Sequence, residues 1–262
     1  WMGSWWEDQI PKILEAYKAV EPNVNLTIEA LPVNGYVDKA VTTILGGGGP
    51  DILAVDVTQM GTLVDKNLLQ PWDDQIKDMD LSDFAAVIEG GKFDGVYYGL
   101  PYRTSSSIMY YNKTMFDEAG VPYPEAGWTY DDMLEIAKKL TIPGEQYGVG
   151  IGASNADPSN VFLTLSPVIW SYGGDYLNED QTECTLNTPE AIEGIRYWTG
   201  LYTTEKVAPE GAVNYTMTKD IMPLFIENKV ALMMGGDQNA VEFDTNYPDL
   251  NYGYCVPPKA PS

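Results

Sequence analysis

Thirty-eight Asp and Glu residues stand in this sequence beside fifteen Lys and Arg, and there is no histidine. Acid–base work would fall to carboxylates alone. A Ser-His-Asp triad, a Cys-His dyad and any His-bearing zinc site are excluded. A glycosidase-type carboxylate pair stays open. With so many acids, though, pairs arise by chance, and no named acid and base emerge. Asp131-Asp132 reads as helix N-terminal charge, Asp73-Asp74 as a solvated turn, and Glu179-Asp180 as a polar loop without EF-hand spacing. Two cysteines, Cys184 and Cys255, exclude a disulfide scaffold and a four-thiolate site. Whether they pair depends on their Cα separation. Gly46 to Gly49 lacks the Lys-Ser or Lys-Thr of a phosphate loop and reads as a helix terminator. Gly148-Val149-Gly150-Ile151-Gly152 lacks dinucleotide-loop spacing and reads as a close-packed strand. The expectation is no catalytic residue, no metal and no cofactor.

The other chemistry on offer is aromatic. Seven Trp and eighteen Tyr outnumber six Phe. Polar-tipped rings suit half-wet surfaces that stack on a ligand and hydrogen-bond at their edges; they also serve at the core boundary. The net charge of −23 disfavours partners that present phosphate, such as nucleic acid or an anionic membrane surface. No apolar run reaches the roughly 18 residues that a membrane span needs. The length of 262 residues bounds the chain to one or two domains, and 44% apolar residues supply a packed core.

The elements that must position these residues alternate. Ile10, Ile13, Leu14 and Tyr17 predict a first helix, with Glu7 and Asp8 in its first turn. Alternation at Val24, Leu26 and Ile28 predicts a strand. Val37 to Leu45 predicts a second helix, and Ile52 to Val57 a buried parallel strand. Strands follow at 97–101 and 108–112. A helix runs to Leu140 behind the capping-box pair Thr129 and Asp132. Thr188-Pro189 opens another, with an inner face at Ile192, Ile195 and Tyr202 and with Trp198 alongside. Val230 to Met234 is a strand. Strand–helix–strand alternation means an α/β fold with crossover helices.

Several motifs recur here in a fixed order. They are Gly49-Pro50-Asp51-Ile52, Asn67-Leu68-Leu69-Gln70-Pro71-Trp72, Tyr98-Gly99-Leu100-Pro101-Tyr102 and Tyr110-Tyr111-Asn112-Lys113. Trp128-Thr129-Tyr130-Asp131-Asp132, Gly173-Gly174-Asp175, Asn187-Thr188-Pro189-Glu190-Ala191 and Lys229-Val230-Ala231-Leu232-Met233 follow. Across nearly the whole chain this series resembles the extracellular solute-binding proteins of bacterial ABC sugar importers, the family of maltose-binding and glycerol-phosphate-binding proteins. The resemblance implies a two-lobed α/β clamshell, with lobe 1 at 1–106, lobe 2 at 107–254 and a second hinge crossing at 255–262. It implies a longer parent chain, cut short at the C-terminus. It also implies a non-catalytic receptor that captures a carbohydrate, an oligosaccharide by preference, and delivers it to a membrane permease by hinge closure. Such a protein works outside the cytoplasm, in the periplasm or lipid-anchored at the cell surface, as a monomer without nucleic acid. The rival readings are a secreted carbohydrate-active enzyme, or the same fold carrying a peptide, a polyamine or a glycerol phosphate ester.

Ligands of open α/β sheets sit beyond the carboxyl ends of strands. Lobe 1 then offers Trp5, Trp6, Asp56, Gln59 and Arg103, and lobe 2 offers Trp170, Gly174, Asp175 and Asp237. Sugars need aromatic faces under their C–H surfaces and planar polar groups for their hydroxyls. Trp170 and one of Trp5 or Trp6 would be stacking floors. Asp56 and Asp237 would accept from hydroxyls and Arg103 would donate. Trp6 reads equally as a staple on the first helix, Trp170 as a core residue after Val168-Ile169, and Asp175 as the close of a Gly-Gly turn.

Overall fold

The computed structural model describes residues 1–32, 35–155 and 158–261. The side chains of Trp5, Ala85, Ala86 and residues 158–160 are outside the description. The chain divides into two compact units, Trp1–Thr104 and Ser105–Ser262.

Unit 1 opens with β1 (Met2–Gly3) and a 3-10 stretch, Ser4–Gln9, that runs into α1 (Ile10–Val20). Glu7 and Asp8 therefore precede α1 and do not form its first turn. Pro11 is tolerated because the N–H it lacks would have no intrahelical partner there. β2 (Ala30–Leu31) pairs in parallel with β1. The strand expected at 24–28 is not formed: β1 offers only two residues to pair with, and these take Ala30 and Leu31. α2 (Tyr36–Leu45) stops ahead of Gly46, as the glycine run predicts. The strand expected at 52–57 is also absent. That segment instead lies beside the chain start, with the Trp1 amino group donating to Ile52 O at 2.8 Å and Ala54 N to Trp1 O at 2.9 Å. Val57 already belongs to α3 (Val57–Asp65). α4 (Asp73–Ile76) begins at the Asp73-Asp74 pair read as a turn, and the Asp73 carboxylate accepts from Tyr97 N. A 3-10 stretch, Ser82–Gly91, leads to the antiparallel hairpin of β3 (Lys92–Phe93) and β4 (Val96–Tyr97).

Unit 2 is built from β5 (Ser107–Asn112), α5 (Lys113–Ala119), α6 (Tyr130–Leu140), β6 (Tyr147–Gly150), α7 (Pro158–Ser171) and α8 (Pro189–Thr203). α9 (Met222–Ile226), β7 (Val230–Gly236), α10 (Gln238–Asn246) and β8 (Tyr252–Cys255) complete it. Its sheet has the order β6-β7-β5-β8, parallel between β6 and β7 and antiparallel elsewhere. All seven residues of β7 are buried, as a central strand covered on both faces requires. Met109, Leu232 and Met234 face a layer containing Phe116, Met133 and Trp198; Tyr110 and Met233 face a second containing Phe225 and Phe243. Residues after β8 are tied to the same unit: Trp128 Nε1 donates to Val256 O at 2.9 Å, and Tyr130 N to Lys259 O. Both cysteines are free thiols, Cys184 exposed and Cys255 half-buried in β8, where burial pushes its pKa up to about 11.

α8 departs from its expected phase. Its buried residues are Ala191, Gly194, Trp198 and Leu201, while Ile192 is 38% exposed. The contact with α7 is made backbone to backbone through small residues: a Cβ on Gly194 would stand 2.9 Å from Ile169 Cα. Small residues, Ala191 and Gly194, therefore mark the part of α8 packed on α7.

α6 begins on the capping box read from the sequence. Thr129 Oγ1 accepts from Asp132 N at 3.2 Å, and the Asp132 carboxylate accepts from Thr129 N at 2.8 Å. Thr129→Ala should lower unfolding free energy by about 1 kcal/mol. Urea unfolding checks this, and an unchanged midpoint would dismiss the cap as a contributor.

Candidate functional site

β6 and β7 run in parallel, so their carboxyl ends share one sheet edge; β5, antiparallel to β7, begins there. Ser107 pairs with Gly236 at this edge. Ser107 Oγ also donates to Leu163 O at 3.1 Å, which fixes the first half of α7 beside it. The edge is rigidly held. Tyr110, fully buried, donates its hydroxyl to Gly236 O at 2.8 Å and accepts from Ala240 N at 3.1 Å. Its ring meets Phe243 edge-on at 5.4 Å. Burial pushes the Tyr110 pKa up to about 12, so the phenol stays a donor at any physiological pH.

Asp237 follows β7 directly and is exposed. One of its carboxylate oxygens accepts from Ser105 Oγ at 2.8 Å, and Ser105 also reaches Gln238 Oε1 at 3.1 Å. The second carboxylate oxygen has no partner among the described residues. This is the arrangement expected of an acceptor for ligand hydroxyls: oriented on one side, open on the other.

α7 carries the second feature. Phe162, Ser166 and Trp170 recur at i, i+4 and i+8 and share a stripe, while Val168 and Ile169 turn into the core. Of the two readings of Trp170, a stacking floor or a core residue, the core one does not hold: it is 47% exposed, and Phe162 is 39% exposed. Trp170 Nε1 donates to Asp175 Oδ1 at 3.0 Å, and the same oxygen accepts from Tyr176 N at 2.7 Å. The Trp170 ring meets Phe162 edge-on at 5.9 Å and Tyr176 edge-on at 6.5 Å; Phe162 and Tyr176 are 5.4 Å apart. Tyr176 Oη and Ser166 Oγ are joined at 2.9 Å. Asp175 thus holds the indole at its edge, through the in-plane Nε1–H. Phe162 and Tyr176 were not among the expected site residues. The four-residue spacing Phe162–Ser166–Trp170 was the available signal, hidden in a stretch that reads as uniformly apolar.

Gly174 serves packing. It is buried, and a Cβ there would stand 2.5 Å from Ala191 Cα, so only glycine lets the loop after α7 close on α8.

In unit 1, Trp6 is half-buried, 6.0 Å from the Tyr102 ring, with the Arg103 guanidinium 6.0 Å from its centroid. The side chain of Trp5 lies outside the described residues. Asp56 is the N-cap of α3, accepting from Thr58 N at 2.9 Å and Thr58 Oγ1 at 2.6 Å. That spends one carboxylate oxygen on the helix. Gln59 is exposed in the first turn of the same helix. Among the described residues no cluster of three or more His, Cys, Asp or Glu is placed to hold a metal.

Comparison with known proteins gives a consistent picture. The model of the family described as bacterial extracellular solute-binding protein matches residues 3–262. A binding protein of Brucella abortus is 28% identical over 253 residues, covering 96% of this chain and 60% of its own. The maltotriose-binding protein of Pyrococcus abyssi is 28% identical over 228 residues, covering 86% of this chain and 45% of its own. An ABC substrate-binding protein of Listeria monocytogenes, solved in complex with cycloalternan, superposes with a TM-score of 0.84 at 27% identity, covering all of this chain and 66% of that one. The chain spans about 60% of the length of the first of these relatives. The α/β fold in two lobes, expected from the sequence, is the fold of these proteins.

Proposed function

The chain belongs to the bacterial extracellular solute-binding proteins, and from that premise we propose that it is the non-catalytic receptor of an ABC importer whose cargo is an oligosaccharide. The observation that carries this reading is the exposed aromatic face of Trp170, Phe162 and Tyr176, locked by Asp175. A ring so held presents a flat apolar face at no further cost in rotamer entropy, and sugar C–H surfaces stack on such faces. Asp237, oriented by Ser105, supplies an acceptor for hydroxyls. The relatives named above for maltotriose and cycloalternan support the cargo class.

In this reading, lobes at 1–106 and 107–254 close on the sugar, and 255–262 forms the second crossing. The sugar shifts the open–closed equilibrium by its differential affinity for the closed form, and that form docks on the permease. The protein acts outside the cytoplasm as a monomer. Trp6 and Arg103 contribute from the first lobe.

Titration calorimetry of the natural, full gene product against a panel of neutral and acidic oligosaccharides tests the proposal. Binding of at least one member, with quenching or enhancement of tryptophan fluorescence and no turnover of the sugar, is the expected result. Release of cleaved sugar would favour the enzyme reading, and silence across the panel would end the carbohydrate one.

A further inference from the structure

Unit 1 holds donors that no acceptor answers among the described residues. Trp6 Nε1 and Tyr36 Oη are both buried without a hydrogen-bond partner there. Tyr102, 54% exposed, links them. Its ring lies 6.0 Å from that of Trp6. Its phenol is close enough to Tyr36 to add to the effect of burial, which together push the Tyr36 pKa up to about 12. Tyr36 therefore stays protonated and stays a donor. Over Trp6 stands Arg103, exposed, with no carboxylate within 4.0 Å among the described residues. Lys39, the cation on the neighbouring helix, is already engaged, 3.7 Å from Glu29 and 5.1 Å over the Trp1 ring.

Buried polar groups in native proteins are almost always paired, and an unpaired one costs about 1–3 kcal/mol. Two in one cluster, beside an unpaired guanidinium in a chain of net charge −23, mark a place that awaits acceptors. The acceptor chemistry follows from charge and shape. A guanidinium matches a planar carboxylate with two parallel hydrogen bonds. The cluster brings one positive charge, which balances a carboxylate and under-balances a phosphate carrying about −1.5 to −2. Global negative charge does not decide the matter: at physiological salt, fields are screened beyond about 8 Å.

We infer that Arg103 and Tyr102, backed by Trp6 and Tyr36, recognise a carboxylate on the cargo, so that this receptor takes uronate-bearing oligosaccharides. The inference rests on the carbohydrate reading above and narrows it. Tyr102 and Arg103 meet the carboxylate first; displacement of the Tyr102 ring opens the donors behind it.

Calorimetry of the natural, full gene product tests it with trigalacturonate, trimannuronate and glucuronic-acid-substituted xylotriose. Maltotriose serves as the neutral arm and glucose 1-phosphate as the phosphate arm. At least one uronate ligand should bind ten times more tightly than maltotriose. Arg103→Gln should reduce that preference about tenfold, and Arg103→Lys, which keeps the charge and loses the fork, should fall between. Maltotriose binding as tightly as every uronate ligand, or a preference unchanged in Arg103→Gln, overturns the inference and leaves the carbohydrate reading standing. A preference for glucose 1-phosphate over all three uronates overturns the carboxylate assignment. Binding of no sugar at all removes the carbohydrate reading and this inference with it.

Discussion

Trp170→Ala should weaken binding of the tightest oligosaccharide in the panel by about 2–3 kcal/mol, a loss of roughly 30- to 150-fold. The magnitude follows from what the indole does in the structure. It is the largest exposed ring of the Phe162–Trp170–Tyr176 face, and its orientation is fixed by the hydrogen bond to Asp175 at 3.0 Å. Truncation removes both the stacking area and the order that Asp175 imposes. Stability should barely change, because the ring is 47% exposed and its removal opens no cavity in the core. That separation makes the result diagnostic. A binding loss accompanied by a large fall in melting temperature would indicate a structural role. Affinity within threefold of wild type would remove Trp170 from the site. Asp175→Asn keeps an acceptor for the indole and should lose much less, which distinguishes the positioning bond from a direct contact to sugar.

Much of this arrangement was legible in the sequence, and what was not has physical causes. Capping residues act locally, within four positions, so α6 and α8 begin where Thr129 and Thr188 place them. The buried strand β7 is a run of apolar residues that nothing else in an α/β chain would use. Short pairings are different. Whether residues 24–28 or 30–31 form β2 depends on the length of β1, a partner remote in sequence. The phase of α8 departs from its apolar periodicity for a related reason: tight helix packing through Ala191 and Gly194 selects for the absence of side chain, and apolar periodicity reports only its presence.

The site divides in the same way. Asp237 follows directly on the apolar run of β7, so its place at a strand end is readable from the sequence. Trp170 lies in a stretch whose uniformly apolar sequence carries no helical phase, so its exposure is set by the packing of Val168 and Ile169 into the core. Asp175 closes its turn and also reaches beyond it: it accepts from Tyr176 N within the turn and from Trp170 across it, on one oxygen. Gly174 and Asp56 have structural roles, the first in its approach to Ala191 and the second as a helix cap.

Gly148→Ala should destabilise the second unit by about 3 kcal/mol or more, at the upper end of what overpacking costs. The position lies in β6 where the strand passes under α6. A Cβ there would stand 2.1 Å from Ala137 O, 2.3 Å from Ala137 Cα and 2.5 Å from Ala137 C. Each of those atoms is backbone, so no side chain can turn away to make room. Ala137 is itself fully buried and α6 is anchored at its N-terminus by the capping box, so relief requires moving a helix that Leu140 and Met133 hold in the core. β6 cannot retreat either, since it is paired with β7, whose residues are buried throughout. The close approach also explains why a Gly-Val-Gly sequence stands in a strand, where glycine otherwise weakens pairing. A methyl group here should cost at least twice as much as the loss of the Thr129 cap, measured by urea unfolding of the same protein. A cost equal to or below that of Thr129→Ala would show that α6 shifts freely over the sheet. In that case the rigid edge on which Asp237 and the aromatic face are built would need another origin.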